Sequence, residues 1–283
     1  MSIAAERICY LNGEYLPLAQ ARVSVLDRGF IFGDAVYEVI IASGGRIFAL
    51  EEHLARLANS LNAVLITNPF TELEWQALLM RLVSENGGGE QSIYVQVTRG
   101  AAERDHVFPS AATPTVFVMS RPLTVSVGLA RVDAIVLPDN RWLRCDIKST
   151  SLLPNVLLRN QAITAGAYEA ILVREDVVTE GSSSNVFVVH AERVTTPPLS
   201  PHILPGVSRA LLIDVLQGNG VTVDEAPLPL AMLRSADEVW LTSSTRDLVA
   251  VTRVDGVTVG TGECPLAECA YREFQLYKAL RLR

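Results

Sequence analysis

Lys148 lies in the stretch Arg144-Cys145-Asp146-Ile147-Lys148-Ser149, next to the apolar Ile147. Apolar surroundings disfavour an ammonium, so a lysine so placed gives up its proton readily. A neutral lysine is a nucleophile towards aldehydes. Downstream, Glu180 opens the run Gly181-Ser182-Ser183-Ser184-Asn185, where a carboxylate at a Gly/Ser-rich turn could face a cationic ring nitrogen. A lysine imine with a carboxylate partner is what pyridoxal phosphate chemistry requires. Taken singly, the two stretches read as a surface lysine and a polar loop, because short motifs often match by accident.

Other side chains fit an anion. Arg56, in His53-Leu54-Ala55-Arg56-Leu57, falls on the polar side of a helix, where it is either a solvated charge or a guanidinium clamp on a phosphate. Leu204-Pro205-Gly206-Val207-Ser208-Arg209 places a loop at a helix start, where free N–H groups and the helix dipole attract an anion. Leu241-Thr242-Ser243-Ser244-Thr245 sets hydroxyls after a strand, although such turns are also common helix caps. Arg104 and His106, two residues apart in an extended loop, point the same way and could trap a carboxylate. Tyr37, on a strand, is a packing residue with its hydroxyl at the rim.

The elements that must position these groups follow from periodicity and turn residues. Asn12-Gly13 marks a hairpin within 8–16, and Val23 to Val25 reads as a short strand. Val36 to Ala42 is β-rich, and Gly44-Gly45 turns it back into Arg46 to Ala49. The run from Leu50 to Val64 is helical, with Leu50, Leu54, Leu57, Ala58, Leu61 and Val64 on one face. Thr71-x-x-Glu74 is a capping box that opens a second helix ending near Gly87. Strands are expected over 93–98, 116–120, 129–137, 169–173, 185–189, 221–225, 238–241 and 248–254. Helices are expected over 153–165, 207–216 and 265–282. The first half mixes strands and helices without a parallel βαβ rhythm.

The chain of 283 residues is ample for a sizeable core, in one large or two medium domains. Charged residues make up 19% and hydrophobic ones 49%, which excludes a disordered chain. A net charge of -7 argues against nucleic acid as the main partner. Cys9, Cys145, Cys264 and Cys269 form no CxxC, and the four histidines lie far apart without metal-ligand spacing. The N-terminal residues lack a long apolar core, and no apolar run approaches a membrane span. A cytoplasmic location is expected.

Together, in order and spacing, Asp27-Arg28-Gly29-Phe30-x-Phe32-Gly33-Asp34, His53-x-x-Arg56-Leu57, Lys148-Ser149, Thr179-Glu180-Gly181-Ser182-Ser183-Ser184-Asn185 and Leu204-Pro205-Gly206 resemble the fold-type IV pyridoxal phosphate enzymes. That group holds branched-chain aminotransferases, D-amino-acid aminotransferases and aminodeoxychorismate lyases. The resemblance implies an α/β (mixed α+β) fold of two domains, each a mainly antiparallel or mixed sheet or barrel with flanking helices. Pro122-Leu123-Thr124-Val125 reads as a short linker between halves, so the expected domains are a small N-terminal one at 1–120 and a larger cofactor-binding one at 127–283, with the linker at 121–126. The resemblance also implies a homodimer with the site between the domains.

By the same resemblance, Lys148 holds pyridoxal 5'-phosphate as an imine and shuttles the proton between substrate and cofactor. Glu180 pairs with the pyridine nitrogen. Arg56, Val207, Ser208, Ser243 and Ser244 form the phosphate cup, with Leu204 as the apolar support under the ring. The block Thr98-Arg99-Gly100…Arg104-x-His106-x-Phe108-Pro109 is similar to the D-amino-acid aminotransferase version, in which the Arg and His, with the tyrosine matching Tyr37, hold the substrate α-carboxylate from the neighbouring subunit. Branched-chain enzymes usually lack that pair. The expected reaction is therefore ping-pong transfer from a D-alanine-type amino acid to 2-oxoglutarate or pyruvate. A branched-chain L-amino-acid aminotransferase and an aminodeoxychorismate lyase remain the alternatives. Arg246-Asp247 departs from relatives, which commonly carry a small residue and then Glu.

Overall fold

The computed structural model describes residues 6–124 and 128–282. Part of the expected linker, 125–126, and the first residue of the expected second domain lie outside these described residues. The chain divides into two compact units. The first comprises Met1–Val125, Ile147–Ser151 and Leu282, and the second Ser126–Asp146 and Leu152–Arg281. The segment that carries Lys148 thus groups with the first unit, although its neighbours on both sides belong to the second.

In the first unit, β1 (Ile8–Leu11), β2 (Glu14–Pro17), α1 (Arg28–Phe32), β3 (Ala35–Ser43), β4 (Arg46–Ile47), α2 (Leu50–Ala63), α3 (Glu72–Glu85), β5 (Gln91–Thr98) and β6 (Thr115–Pro122) follow in order. The six strands form an antiparallel sheet in the order β2-β1-β6-β5-β3-β4. Leu54, Leu57 and Leu61 bury the expected stripe of α2. They pack with Val36 and Ile40 of β3, Ile93 and Val95 of β5 and Trp75, Leu79 and Leu82 of α3. The capping box at Thr71 is formed: Glu74 N donates to Thr71 Oγ1 at 3.3 Å, and Thr71 N donates to Glu74 Oε2 at 2.8 Å. The strand expected at Val23 to Val25 is absent, and those residues are exposed loop. Their β-branched side chains gave the propensity, but they have no neighbouring strand to pair with.

The second unit holds β7 (Ala130–Pro138), α4 (Leu153–Thr164), β8 (Glu169–Arg174), β9 (Val177–Gly181), β10 (Asn185–His190), β11 (Arg193–Thr196), α5 (Val207–Gly218), β12 (Val223–Glu225), β13 (Leu228–Pro229), α6 (Leu230–Arg234), β14 (Glu238–Ser243), β15 (Asp247–Val254), β16 (Val257–Thr258) and α7 (Pro265–Arg281). Its mixed sheet runs β12-β11-β10-β14-β15-β7-β8-β9-β13, with β16 on β15. β7 and β8 are parallel and joined through α4, as β11 and β12 are through α5. β10 and β14 are buried on both faces, which explains their unbroken apolar runs. β9 was not expected. Its turn uses Glu175 and Asp176, both at positive φ (51° and 61°), where an Asn-Gly or Asp-Gly pair would announce a hairpin. Glu180 therefore belongs to a strand paired with β8, rather than opening a turn.

Candidate active site

Lys148 is held by its backbone. Tyr37 N donates to Lys148 O at 2.9 Å, Thr150 N donates to Ala35 O at 3.0 Å, and Lys148 N donates to Ser60 Oγ of α2 at 3.2 Å. The 147–150 segment so lies along the start of β3, with a bridge between Val36 and Ser149. Lys148 Nζ stands 4.3 Å from the centroid of the Tyr37 ring, within reach of a cation–π contact. Tyr37 stacks on Tyr94 at 5.7 Å. Burial, with Tyr37 beside it, pushes the Tyr94 hydroxyl up to about 12.

The next residue of β3, Glu38, is fully buried and holds Arg56. Arg56 Nε donates to Oε1 at 2.7 Å and Nη2 to Oε2 at 2.8 Å, while His53 Nδ1 lies 2.8 Å from Oε2. Burial alone would raise the Glu38 carboxyl. The Arg56 charge and the hydrogen bonds from Arg56 and His53 overturn that and hold it far below the carboxylate range. Burial also lowers His53, so the ring is a neutral Nδ1–H donor to the carboxylate.

The structure brings Arg104 and His106 together on one aromatic ring. The Arg104 guanidinium lies 5.3 Å and the His106 ring 5.5 Å from the Phe32 centroid. Both are exposed. Their loop is tied down from beneath: Arg28 donates to Asp105 O at 2.5 Å and, through Nε, to Asp34 Oδ2 at 2.8 Å. Arg99 takes Asp34 at 2.7 and 2.9 Å and covers the Phe108 ring at 3.7 Å. Tyr37 is engaged with Lys148 and Tyr94 instead.

In the second unit Glu180 is 5% exposed, and both its oxygens are engaged. Oε1 accepts a short hydrogen bond from Arg141 Nη1, and Oε2 accepts from Leu204 N at 3.0 Å and Asn185 Nδ2 at 3.1 Å. Burial pushes the carboxyl up to about 7, against the charge and hydrogen bond of Arg141. The serines that follow close on a different acid. The hydroxyls of Ser182, Ser183 and Ser184 all donate to buried Glu169, the latter two at 2.9 and 3.1 Å.

Val207 and Ser208 begin α5 and are buried. Gly206, at its N-cap, supplies no capping side chain, so the first-turn N–H groups can serve an anion. A Cβ at Gly206 would overlap Asn185 Oδ1, so a larger residue there would push that side chain off its partners. Ser243 ends β14 and Ser244 lies in the turn to β15, which is closed by Arg246 N donating to Ser243 O at 3.3 Å. Asp247, at φ 57°, follows that turn and is fixed by Lys278 Nζ at 2.8 Å and Gln275 Nε2 at 2.9 Å.

Arg141 and Asp139 carry no motif, and sequence reasoning missed them. Asp-x-Arg spacing was the available signal, and it is common in loops. Glu38, within the β-rich 36–42, and Asn185, at the end of the Gly/Ser-rich run, carried no expected role: Glu38 meets Arg56 from α2, and Asn185 ties Glu180 to Leu204 O of a distant loop.

Among the described residues no group of three or more His, Cys, Asp or Glu could hold a metal, and no helix is long and apolar enough to cross a membrane. The profile of the amino-transferase class IV family matches residues 35–254. The chain is 40% identical over 253 residues to D-alanine aminotransferase of Bacillus licheniformis, covering 89% of each chain. It is 39% identical over 258 residues to D-alanine aminotransferase of Listeria monocytogenes, again covering 89% of each. Among solved structures it is similar to the T.th. branched-chain amino acid aminotransferase with pyridoxamine 5'-phosphate: TM-score 0.87, 26% identity, 97% of this chain and 94% of that one. The Escherichia coli branched-chain enzyme shares the fold, with a TM-score of 0.89 at 23% identity over 98% and 96% of the two chains. From the extent of these matches, the chain is a member of the class IV amino-transferase family.

Proposed function

We propose that this chain is a pyridoxal phosphate-dependent transaminase that moves the amino group of a D-alanine-type amino acid to 2-oxoglutarate or pyruvate in a ping-pong sequence. The observation that carries the reading is the Arg104–His106 pair on Phe32, in a chain 40% identical to a D-alanine aminotransferase. The pair offers a guanidinium and an imidazole to one carboxylate, which suits an α-amino acid.

The residues present fit the cofactor. A deeply buried acid with every oxygen anchored suits a ring nitrogen, and the uncapped start of α5 suits a phosphate. Val207, Ser208, Ser243, Ser244 and Arg56 would hold the phosphate, Leu204 would support the ring and Glu180 would keep its nitrogen charged. When bound, the cofactor supplies an electron sink for the charge left at the substrate Cα. Lys148 Nζ would hold the cofactor and, when free of it, would take and return the Cα proton. Tyr37, joined by Arg104 and His106 reaching in from the second copy, would fix the substrate carboxylate, which would decide the face that Lys148 meets and hence the hand of the amino acid.

The reading includes a cytoplasmic homodimer. Leu153, Val156 and Leu157 form an exposed apolar stripe on α4, which suits contact with a second copy, and all four cysteines are free thiols. Sedimentation at a single-chain mass would remove the homodimer. A substrate panel tests the reaction: amino transfer from D-alanine to 2-oxoglutarate is expected. Turnover of L-leucine or L-valine alone would replace the reading with the branched-chain one, and pyruvate release from aminodeoxychorismate would install the lyase.

A further inference from the structure

Glu180 does not stand alone. Its partner Arg141 is 7% exposed and is itself fixed as a fork by Asp139: Nε donates to Oδ1 and Nη2 to Oδ2, both at 2.9 Å. Asp139 Oδ2 also accepts from Thr179 Oγ1 at 2.9 Å and pairs with Arg174 Nη2 at 3.3 Å. Arg141 Nη2 donates further to His202 O at 3.1 Å, and Arg174 Nη1 lies 2.9 Å from His202 Nδ1. Two acids and two arginines therefore alternate from solvent inwards, ending on the Glu180 oxygen. Arg141 is held at Nε and Nη2 by Asp139 and His202 O, and this fork sets the aim of Nη1 at Glu180.

That arrangement bears on a proton. A carboxylate and a pyridine nitrogen facing each other share one proton, and the more basic of the two keeps it. Burial makes Glu180 basic enough, at about 7, to compete for it even with a guanidinium bound. We propose that Arg141, braced by Asp139, is the positioning residue that leaves the shared proton on the cofactor ring nitrogen rather than on Glu180; this role rests on the pyridoxal phosphate reading above. Without the guanidinium the proton passes from the ring nitrogen to a Glu180 oxygen. The pair becomes neutral, with no change in proton count, and the ring loses the charge that makes it an electron sink.

The test is ¹⁵N NMR of the enzyme reconstituted with pyridoxal phosphate labelled at the ring nitrogen. Wild type, Arg141→Met, Arg141→Gln and Arg141→Lys are compared at neutral pH, with circular dichroism as the check on folding. Wild type is expected at the pyridinium position. Arg141→Met and Arg141→Gln are expected at the neutral-pyridine position, an equilibrium shift of roughly tenfold or more. Arg141→Lys, which keeps the charge, is expected to stay with wild type. If Arg141→Met does not fold, Arg141→Gln decides. A folded neutral variant with a pyridinium resonance overturns the proposal and leaves the transaminase reading intact. A wild-type protein that binds no pyridoxal phosphate overturns both.

Discussion

Glu38 and Arg56 form a buried two-point pair, with hydrogen bonds of 2.7 and 2.8 Å between β3 and α2. Removing the acid takes both of these hydrogen bonds from a buried guanidinium. Glu38→Ala is therefore expected to cost about 3–5 kcal/mol in urea unfolding. The pH dependence follows from the depressed carboxyl. The folded value lies below the ordinary 4.5, so the contribution is whole above about 4.5, declines as pH falls below that and is gone once pH has passed the folded value. A variant as stable as wild type would show that the pair does not couple helix to strand.

Glu180 has the opposite sign. Its carboxyl is raised from 4.5 to about 7, so the folded apoprotein binds the extra proton between those values. Stability of the apoprotein is thus expected to fall as pH rises from about 4.5 through about 7 and then to level off, by at most about 3 kcal/mol. Glu180→Gln should remove this slope and bind pyridoxal phosphate more weakly. Parallel urea titrations at pH 5 and pH 8 check it, and an identical slope in both proteins would refute it.

Lys148→Ala is expected to abolish turnover and borohydride-fixed cofactor mass while leaving the circular dichroism spectrum unchanged, because the lysine is tethered by its backbone rather than by its amine. A cofactor mass found on another lysine would end the assignment.

Arg104→Ala is expected to raise KM for D-alanine by roughly tenfold to a hundredfold, with a smaller change in kcat. Phe32→Leu should act in the same direction more weakly, since Arg104 and His106 both rest on that ring. An unchanged KM in Arg104→Ala removes the carboxylate trap.

Gly206→Ala would drive a methyl group into Asn185 Oδ1, and Asn185 holds both Glu180 and Leu204 O, at 3.1 and 3.0 Å. Weaker cofactor binding is expected, read by equilibrium dialysis, with little change in α5 itself, since Gly206 sits at φ -66°. Unaltered binding would mean that the loop has room to yield.

Much of this was legible in the chain because its signals are local. The α2 stripe, the Thr71 capping box and the Asn12-Gly13 hairpin need only neighbours in sequence. β9 escaped because its turn residues, Glu175 and Asp176, adopt positive φ without a glycine to advertise it. β11 escaped for the same reason, behind Ala191 and Glu192. Lys148 and Glu180 stood out only through the order of several motifs. Arg141 had no such company: it meets Glu180 across 39 residues of chain, a separation that no periodicity reports.

The five residues Ile147–Ser151 are a brief excursion of the backbone into the first unit, entered from and left to the second. No single cut can then yield two self-sufficient halves. A fragment ending at 124 would expose the margin of β3 that 147–150 covers, and the complementary piece would carry the lysine with nothing to moor it. Proteolytic nicking near the composition-defined linker should accordingly leave the pieces associated, and separate expression of either should fail to reproduce the lysine's setting.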